Sequence, residues 1–240
     1  MPLARVFDHR WLMLFLLLAA YVLSFIDRNI MAILVGPIRA DFNISDFEYG
    51  LLNGLAFSLM YTFLGIPLGW LADRKNRKNI IAVGTAFWSV MTFMCGMATG
   101  FTSLFLARVG VGVGEAALSP SAHSLLSDYF EPRLLPVIIS IFTLGIPVGV
   151  GISYSVGGWV YGMFAGQEHI VLPILGAVKA WQMTFMLVGA PGLLLAVLIY
   201  FMREPVRTGM AKVAHVEQTF SMKEVFLYLK QHKRVYGGIY

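Results

Sequence analysis

Charge is scarce in this sequence. Only 13% of its 240 residues are Asp, Glu, Lys or Arg, against 58% hydrophobic, and mean hydropathy is +0.73. Soluble domains carry about a quarter charged residues, so an ordinary soluble domain is excluded. Cysteine is nearly absent too. Cys95 stands alone in an apolar run, which rules out an internal disulfide and says little about compartment. Nothing has the spacing of a metal site, and no glycine-rich loop opens a helix from a strand, so no metal or other cofactor is expected. The net charge of +5 does not indicate nucleic acid. The basic residues cluster in loops and a tail beside apolar runs, a pattern that membrane orientation explains.

What is present is long hydrophobic runs. Six segments, at about 12–35, 49–71, 80–99, 103–127, 134–160 and 182–202, can cross a bilayer of ~30 Å at ~1.5 Å per residue. Trp11 to Leu23 imitates a signal-peptide core, but the run continues past Asp27-Arg28 to Val35 without a cleavage pattern, so it is a retained span. Ser45-Asp46-Phe47-Glu48 is a capping box opening the second span, and Glu131-Pro132-Arg133 separates the fourth from the fifth. Residues 161–180, with Gly162, Gly166 and Pro173, form the longest outer loop.

With the N-terminus inside, 14 Lys and Arg fall on the inner side and only Arg39 and Lys179 outside; Arg28 and Arg108 lie within spans. That asymmetry places both termini in the cytoplasm. Three parts follow: a six-helix transmembrane bundle (1–202), a cytoplasmic linker (203–234) and what reads as the start of a seventh span (235–240). The linker carries a short amphipathic helix opened by the capping pattern Ser221-Met222-Lys223-Glu224.

Leu64-Gly65-Ile66-Pro67-Leu68-Gly69 in the second span recurs as Leu144-Gly145-Ile146-Pro147-Val148-Gly149 in the fifth. Asp27 precedes Phe42 by fifteen residues and Glu115 precedes Phe130 by fifteen. The expected fold is therefore an all-α membrane protein whose six transmembrane helices form a 3+3 inverted repeat, with binding sites near the midplane. Pro67 and Pro147 are candidate hinges, and Gly110-x-x-x-Gly114 is small-residue helix packing rather than a dinucleotide fingerprint.

Four ionisable residues lie inside spans: Asp27 and Arg28 in the first, Arg108 and Glu115 in the fourth. Such charges cost roughly 2.5–3.5 kcal/mol each on insertion scales, so function is their default reading. Asp27 and Arg28 sit about 5–7 Å outside the midplane, Arg108 about 10 Å outside, and Glu115 near it. If the two helices are neighbours, Asp27 reaches Arg108 and Arg28 reaches Glu115. One reading is a pair of structural salt bridges; the other makes Asp27 a proton site loaded and unloaded as its cation moves.

Between the second and third spans lies a knot of charge, Asp73-Arg74-Lys75-Asn76-Arg77-Lys78. The cations suit a helix C-terminus, but Asp73 does not, so it needs a cation or another helix's N-terminus. Gly69-x-Leu71-Ala72-Asp73-Arg74-x-x-Arg77-Lys78 resembles the loop between spans 2 and 3 of major facilitator superfamily transporters. The family pattern has Gly in place of Asn76, and both tolerate a left-handed turn. Asp27-Arg28 together with Arg108-(six residues)-Glu115-Ala116 resembles the spinster-like members, over nearly the whole chain. The resemblance implies the N-terminal six-helix half of a twelve-span transporter, not an enzyme. Its cytoplasmic gate would hold Gly69, Asp73, Arg74, Arg77 and Lys78, with Asp73 as the gate acid. Asp27, Arg28, Arg108 and Glu115 would line the cavity and couple transport to protons. Span 5 has Gly145-Ile146-Pro147 instead of the adjacent Gly-Pro of the antiporter signature, favouring uniport or proton-linked movement over exchange. Arg28 and Arg108 suit an organic anion or an amphiphile as the small-molecule substrate. The expected partners are that substrate, protons, the lipid bilayer of a bacterial inner membrane, and a C-terminal half or second copy. The alternatives are a six-span channel or assembly subunit, and an intramembrane hydrolase using His123 and a serine.

Overall fold

The structure, a computed structural model, describes residues 9–164, 166–167, 170–173, 176–207, 227–228 and 230–231. The Ser221 cap and residues 235–240 lie outside the described residues; of the linker helix, Leu227, Tyr228, Lys230 and Gln231 are described, as helical. The chain divides into two units, Met1–Pro205 and Val206–Tyr240.

Among the described residues, six helices are long and apolar enough to cross a membrane: spans 1 (His9–Ile33), 2 (Asp46–Arg74), 3 (Arg77–Gly96), 4 (Phe101–Tyr129), 5 (Leu135–Phe164) and 6 (Ala180–Phe201). The capping box forms as the sequence dictates: Ser45 Oγ accepts from Glu48 N at 3.3 Å, and Glu48 Oε2 accepts from Ser45 N at 2.8 Å. Span 2 then passes through a π-helical turn, Leu51–Leu55.

Three helices break where proline dictates. Proline lacks the N–H that would bond the carbonyl four residues back, and its ring crowds that carbonyl. Pro37 accounts for the interruption at Leu34, after which a short helix, Val35–Phe42, resumes and ends in left-handed Asn43 (φ 50°). Pro120 accounts for the turn at Ala116–Ala117 in span 4, and Pro147 for the one at Leu144 in span 5. Pro67, the other expected hinge, lies inside the continuous helix Ala56–Arg74. The loop expected between spans 5 and 6 carries a two-stranded antiparallel ribbon, β1 (Ile170–Leu172) with β2 (Gly176–Val178).

Span 3 packs most extensively on span 6, span 1 on span 5, and span 2 on span 4. An inverted repeat that exchanges 1 with 4, 2 with 5 and 3 with 6 turns the 1–5 pair into the 4–2 pair and leaves 3–6 unchanged. These three pairings therefore have the symmetry of the sequence repeat, while spans 3 and 4 pack more extensively than their equivalents 6 and 1. Glycine permits both equivalent contacts. A Cβ on Gly149 of span 5 would come within 2.7 Å of Val22 O in span 1, and one on Gly112 of span 4 within 2.5 Å of Phe57 O in span 2. Spans 3 and 4 approach as closely at Gly84 and Gly114, where a Cβ on Gly84 would meet Gly114 O at 2.8 Å. Gly110 instead lies under the side chain of Met91.

The two outer cations of the sequence count are both paired. Arg39 Nη1 lies 2.5 Å from Asp46 Oδ1, and Lys179 pairs with Asp41, which also accepts from Trp181 Nε1 at 2.9 Å.

Candidate functional site

All four intramembrane charges meet in one polar cluster. Glu115 Oε2 accepts from Arg28 Nε at 2.7 Å and from Ser24 Oγ at 2.6 Å, which joins span 1 to span 4. The Arg28 guanidinium also lies between the rings of Phe25, Phe57 and Tyr61, at 4.8, 4.6 and 4.7 Å from their centroids. That arrangement adds cation–π attraction to the ion pair.

Asp27 and Arg108 meet differently from the expected carboxylate pair. Arg108 Nη1 donates to the Asp27 backbone carbonyl at 3.2 Å, while Asp27 Oδ2 accepts from Thr92 Oγ1 of span 3 at 3.0 Å. Thr92 has taken the oxygen that the guanidinium was expected to hold. Among the described residues, Asp27 Oδ1, Arg108 Nε and Glu115 Oε1 are buried without a hydrogen bond. Buried polar atoms are nearly always satisfied, so three such atoms in one cluster mark a place that can take a proton, water or ligand group. Asp27, Arg108 and Glu115 are 1–2% exposed, whereas the Arg28 side chain is 23% exposed. The bundle thus covers three of the four charges with its own helices, and only Arg28 reaches its surface. The sequence reading missed Ser24, Thr92 and the aromatic rings. Ser and Thr are too common in apolar spans to signal a site without the carboxylates they touch.

A second cluster ties spans 3, 4 and 6 at the face bearing the 75–76 loop. Arg77 is buried, 1% exposed, and its guanidinium pairs with Asp128 and, through Nε at 2.9 Å, with Glu204 Oε1. Its Nη1 also donates to Ser124 O at 2.9 Å. The Glu204 carboxylate accepts from the backbone N–H groups of Arg77 and Lys78 at 3.2 and 3.0 Å. An anion thus caps the positive N-terminus of span 3. Lys78 Nζ donates to Tyr200 O at 2.6 Å. Gly69 faces Pro120 of span 4, and Arg74 stacks on Trp70 at 4.0 Å. Asp73 is exposed, so the buried ion pairing of this loop belongs to Arg77. Asn76 is not the left-handed residue expected from the family pattern. Its backbone is extended (φ −67°, ψ 112°), and Oδ1 caps span 3 by accepting from Asn79 N at 3.0 Å. Asp128 and Glu204 were legible by the argument applied to Asp73: an acid at a helix C-terminus calls for a cation.

His123 is exposed; its Nδ1 lies 2.7 Å from the Ser119 carbonyl and its ring packs edge-on against Phe142, contacts that involve no serine hydroxyl. Among the described residues, no three His, Cys, Asp or Glu side chains gather as a metal site would require.

The profile described as Major Facilitator Superfamily matches residues 17–238. Protein spinster homolog 1 of Homo sapiens is 38% identical over 175 residues, which are 71% of this chain and 33% of that protein. A sphingosine-1-phosphate transporter of Mus musculus is 34% identical over 162 residues, 65% of this chain and 29% of that protein. Among solved structures, the inward-facing, occupied form of a bacterial homolog to the human lysosomal transporter spinster superposes with a TM-score of 0.77 at 36% identity. The match covers 83% of this chain and 46% of that one. The aligned part is thus about a third of the length of these curated relatives and under half of the solved chain.

Proposed function

The chain belongs to the major facilitator superfamily, is spinster-like, and is an integral multi-pass membrane protein; from this premise we propose that it forms half of a proton-coupled secondary transporter. It moves an organic anion or anionic amphiphile by alternating access. The observation that carries this reading is Asp27: a fully covered carboxylate with one oxygen on Thr92 and the other without a bond among the described residues, beside Arg28 and Arg108. A carboxylate so placed changes its proton affinity when a cation moves toward or away from it. Arg28, partly exposed and linked to Glu115, is the cation best placed to meet a substrate anion and pass that event to span 4. The relative named for sphingosine-1-phosphate supports an anionic amphiphile as the substrate class.

The membrane in this reading is a bacterial inner membrane, and the asymmetry of basic residues supports termini on its cytoplasmic side. The Arg77 knot and the residues Gly69, Asp73, Arg74 and Lys78 then stand at the cytoplasmic gate. Residues 203–234 serve as the linker after the bundle, and a C-terminal half or second copy supplies the opposing wall. The test is uptake of sphingosine-1-phosphate into proteoliposomes holding the transport-competent assembly under an imposed pH gradient. Accumulation abolished by a proton ionophore supports the reading, and ionophore-insensitive downhill flux would make it a channel. Asp27→Asn should abolish accumulation while leaving downhill exchange, because a neutral side chain still permits rocking. Normal ionophore-sensitive accumulation by that variant removes Asp27 from coupling.

A further inference from the structure

We propose that the chain binds an anionic phospholipid, of the phosphatidylglycerol type, in a groove between spans 2 and 3 that shares no residue with the Asp27 cluster. Spans 2 and 3 are joined by Lys75 and Asn76 alone, yet they hardly touch; each leans on span 4. The close approaches at Gly112–Phe57 and Gly84–Gly114 draw both helices onto span 4 and leave a furrow between them. The furrow has a volume of about 550 Å³. Gly84, Gly114 and Ala117, with Val113 beside them, make a floor of mostly small residues, and Leu64, Leu68 and Leu71 face Ile80, Val83 and Phe87 across it.

Length and polarity fix the kind of occupant. Leu64 to Leu71 spans ~10 Å and Asn79 to Phe87 ~12 Å, close to the ~15 Å of hydrocarbon in one leaflet. A single acyl chain running along the helices fills such a slot, and Val83, 67% exposed, gains cover from it. Polar side chains line only the end nearest the loop, where Lys75 and Asn79 stand. Lys75 offers an ammonium to a phosphate at the depth of the headgroups. Asn79 Oδ1 is buried without a hydrogen bond among the described residues, although Asn76 binds the backbone N–H of the same residue. A headgroup hydroxyl, as on the glycerol of phosphatidylglycerol, satisfies it. A choline headgroup has no donor for Asn79 and brings a second cation to Lys75.

The experiment places the protein in nanodiscs containing phosphatidylcholine and a trace of phosphatidylglycerol that carries a photoreactive acyl chain, and maps the crosslinks. Labelling should concentrate on residues 64–87, and added phosphatidylglycerol should displace it. Lys75→Gln, a change at an exposed position, should weaken that displacement about fivefold, the loss of one lipid–cation contact. Val83→Trp should fill the slot and remove labelling there while sparing labels on spans 5 and 6, which also verifies that the variant is folded. Three results overturn the proposal: even labelling of all lipid-facing helices, equal displacement by phosphatidylcholine, or crosslinking of Val83→Cys to another polypeptide. Labelling is read without transport, so its failure leaves the transport reading standing.

Discussion

Glu115 receives two donors on one oxygen, Arg28 Nε and Ser24 Oγ, and keeps its other oxygen free of bonds among the described residues. Breaking this pair from one side strands a charge. Arg28→Ala leaves a buried carboxylate without its cation and should cost ~3–5 kcal/mol of stability. Adding Glu115→Ala removes the stranded charge, so the double variant should be the more stable of the two. Thermal unfolding of the four members of the cycle in one detergent measures the coupling, and independent effects would mean that the pair does not hold the helices. At this scale the sequence was legible wherever charge entered a span, because such charge is expensive and rare. Asp27, Arg28, Arg108 and Glu115 were found that way, and Arg28–Glu115 pairs as expected. Thr92 was not found, since a hydroxyl in a span carries little penalty, and with it went the bonding of Asp27.

At the scale of elements, the end of span 3 depends on two acids from other helices. Arg77 sits between Asp128 at the end of span 4 and Glu204 just past span 6. Arg77→Ala leaves both carboxylates without that cation, so it should lower the unfolding temperature and open the loop face. Asp73→Asn, at an exposed position, should affect stability far less. Unfolding in detergent, together with reagent labelling of a cysteine placed at buried Ser121 in a Cys95-free background, compares the two; the opposite ranking would make Asp73, rather than Arg77, the residue that holds the gate. Helix existence was legible from hydropathy, and the capping box from its four residues. The breaks were legible in principle from Pro37, Pro120 and Pro147, each of which denies a bond to a carbonyl one turn back. Pro67 has the same chemistry and marks no break, so proline states where a helix is able to yield and packing decides whether it does.

At the scale of the whole molecule, the resemblance implied that all four charges line a cavity, yet the bundle buries Asp27, Arg108 and Glu115 among its own helices. Thr92 holds Asp27 and the rings hold Arg28, and neither contact was evident from spacing. Burial alone therefore does not call for a second half; the proposed alternating access does. Alternating access needs a second body against which this bundle rocks. The purified chain reconstituted alone should drive no uphill uptake in liposomes, and monodisperse monomers showing proton-coupled accumulation would overturn that. The inverted repeat was visible through Leu64–Gly69 and Leu144–Gly149, while the partner of each span emerged only in three dimensions.

Those partnerships constrain the order in which the protein is made. Span 1 finds its main mate in span 5, span 2 in span 4 and span 3 in span 6. When the first three have left the ribosome, none has met the helix it will settle against. Asp27 and Arg28 enter the membrane before Arg108 and Glu115 exist. The nascent chain must hold Asp27 and Arg28, sheltered by the insertion machinery or by temporary neighbours, until span 4 brings Arg108 and Glu115; span 5 then meets span 1, and span 3 waits for span 6, the last to arrive.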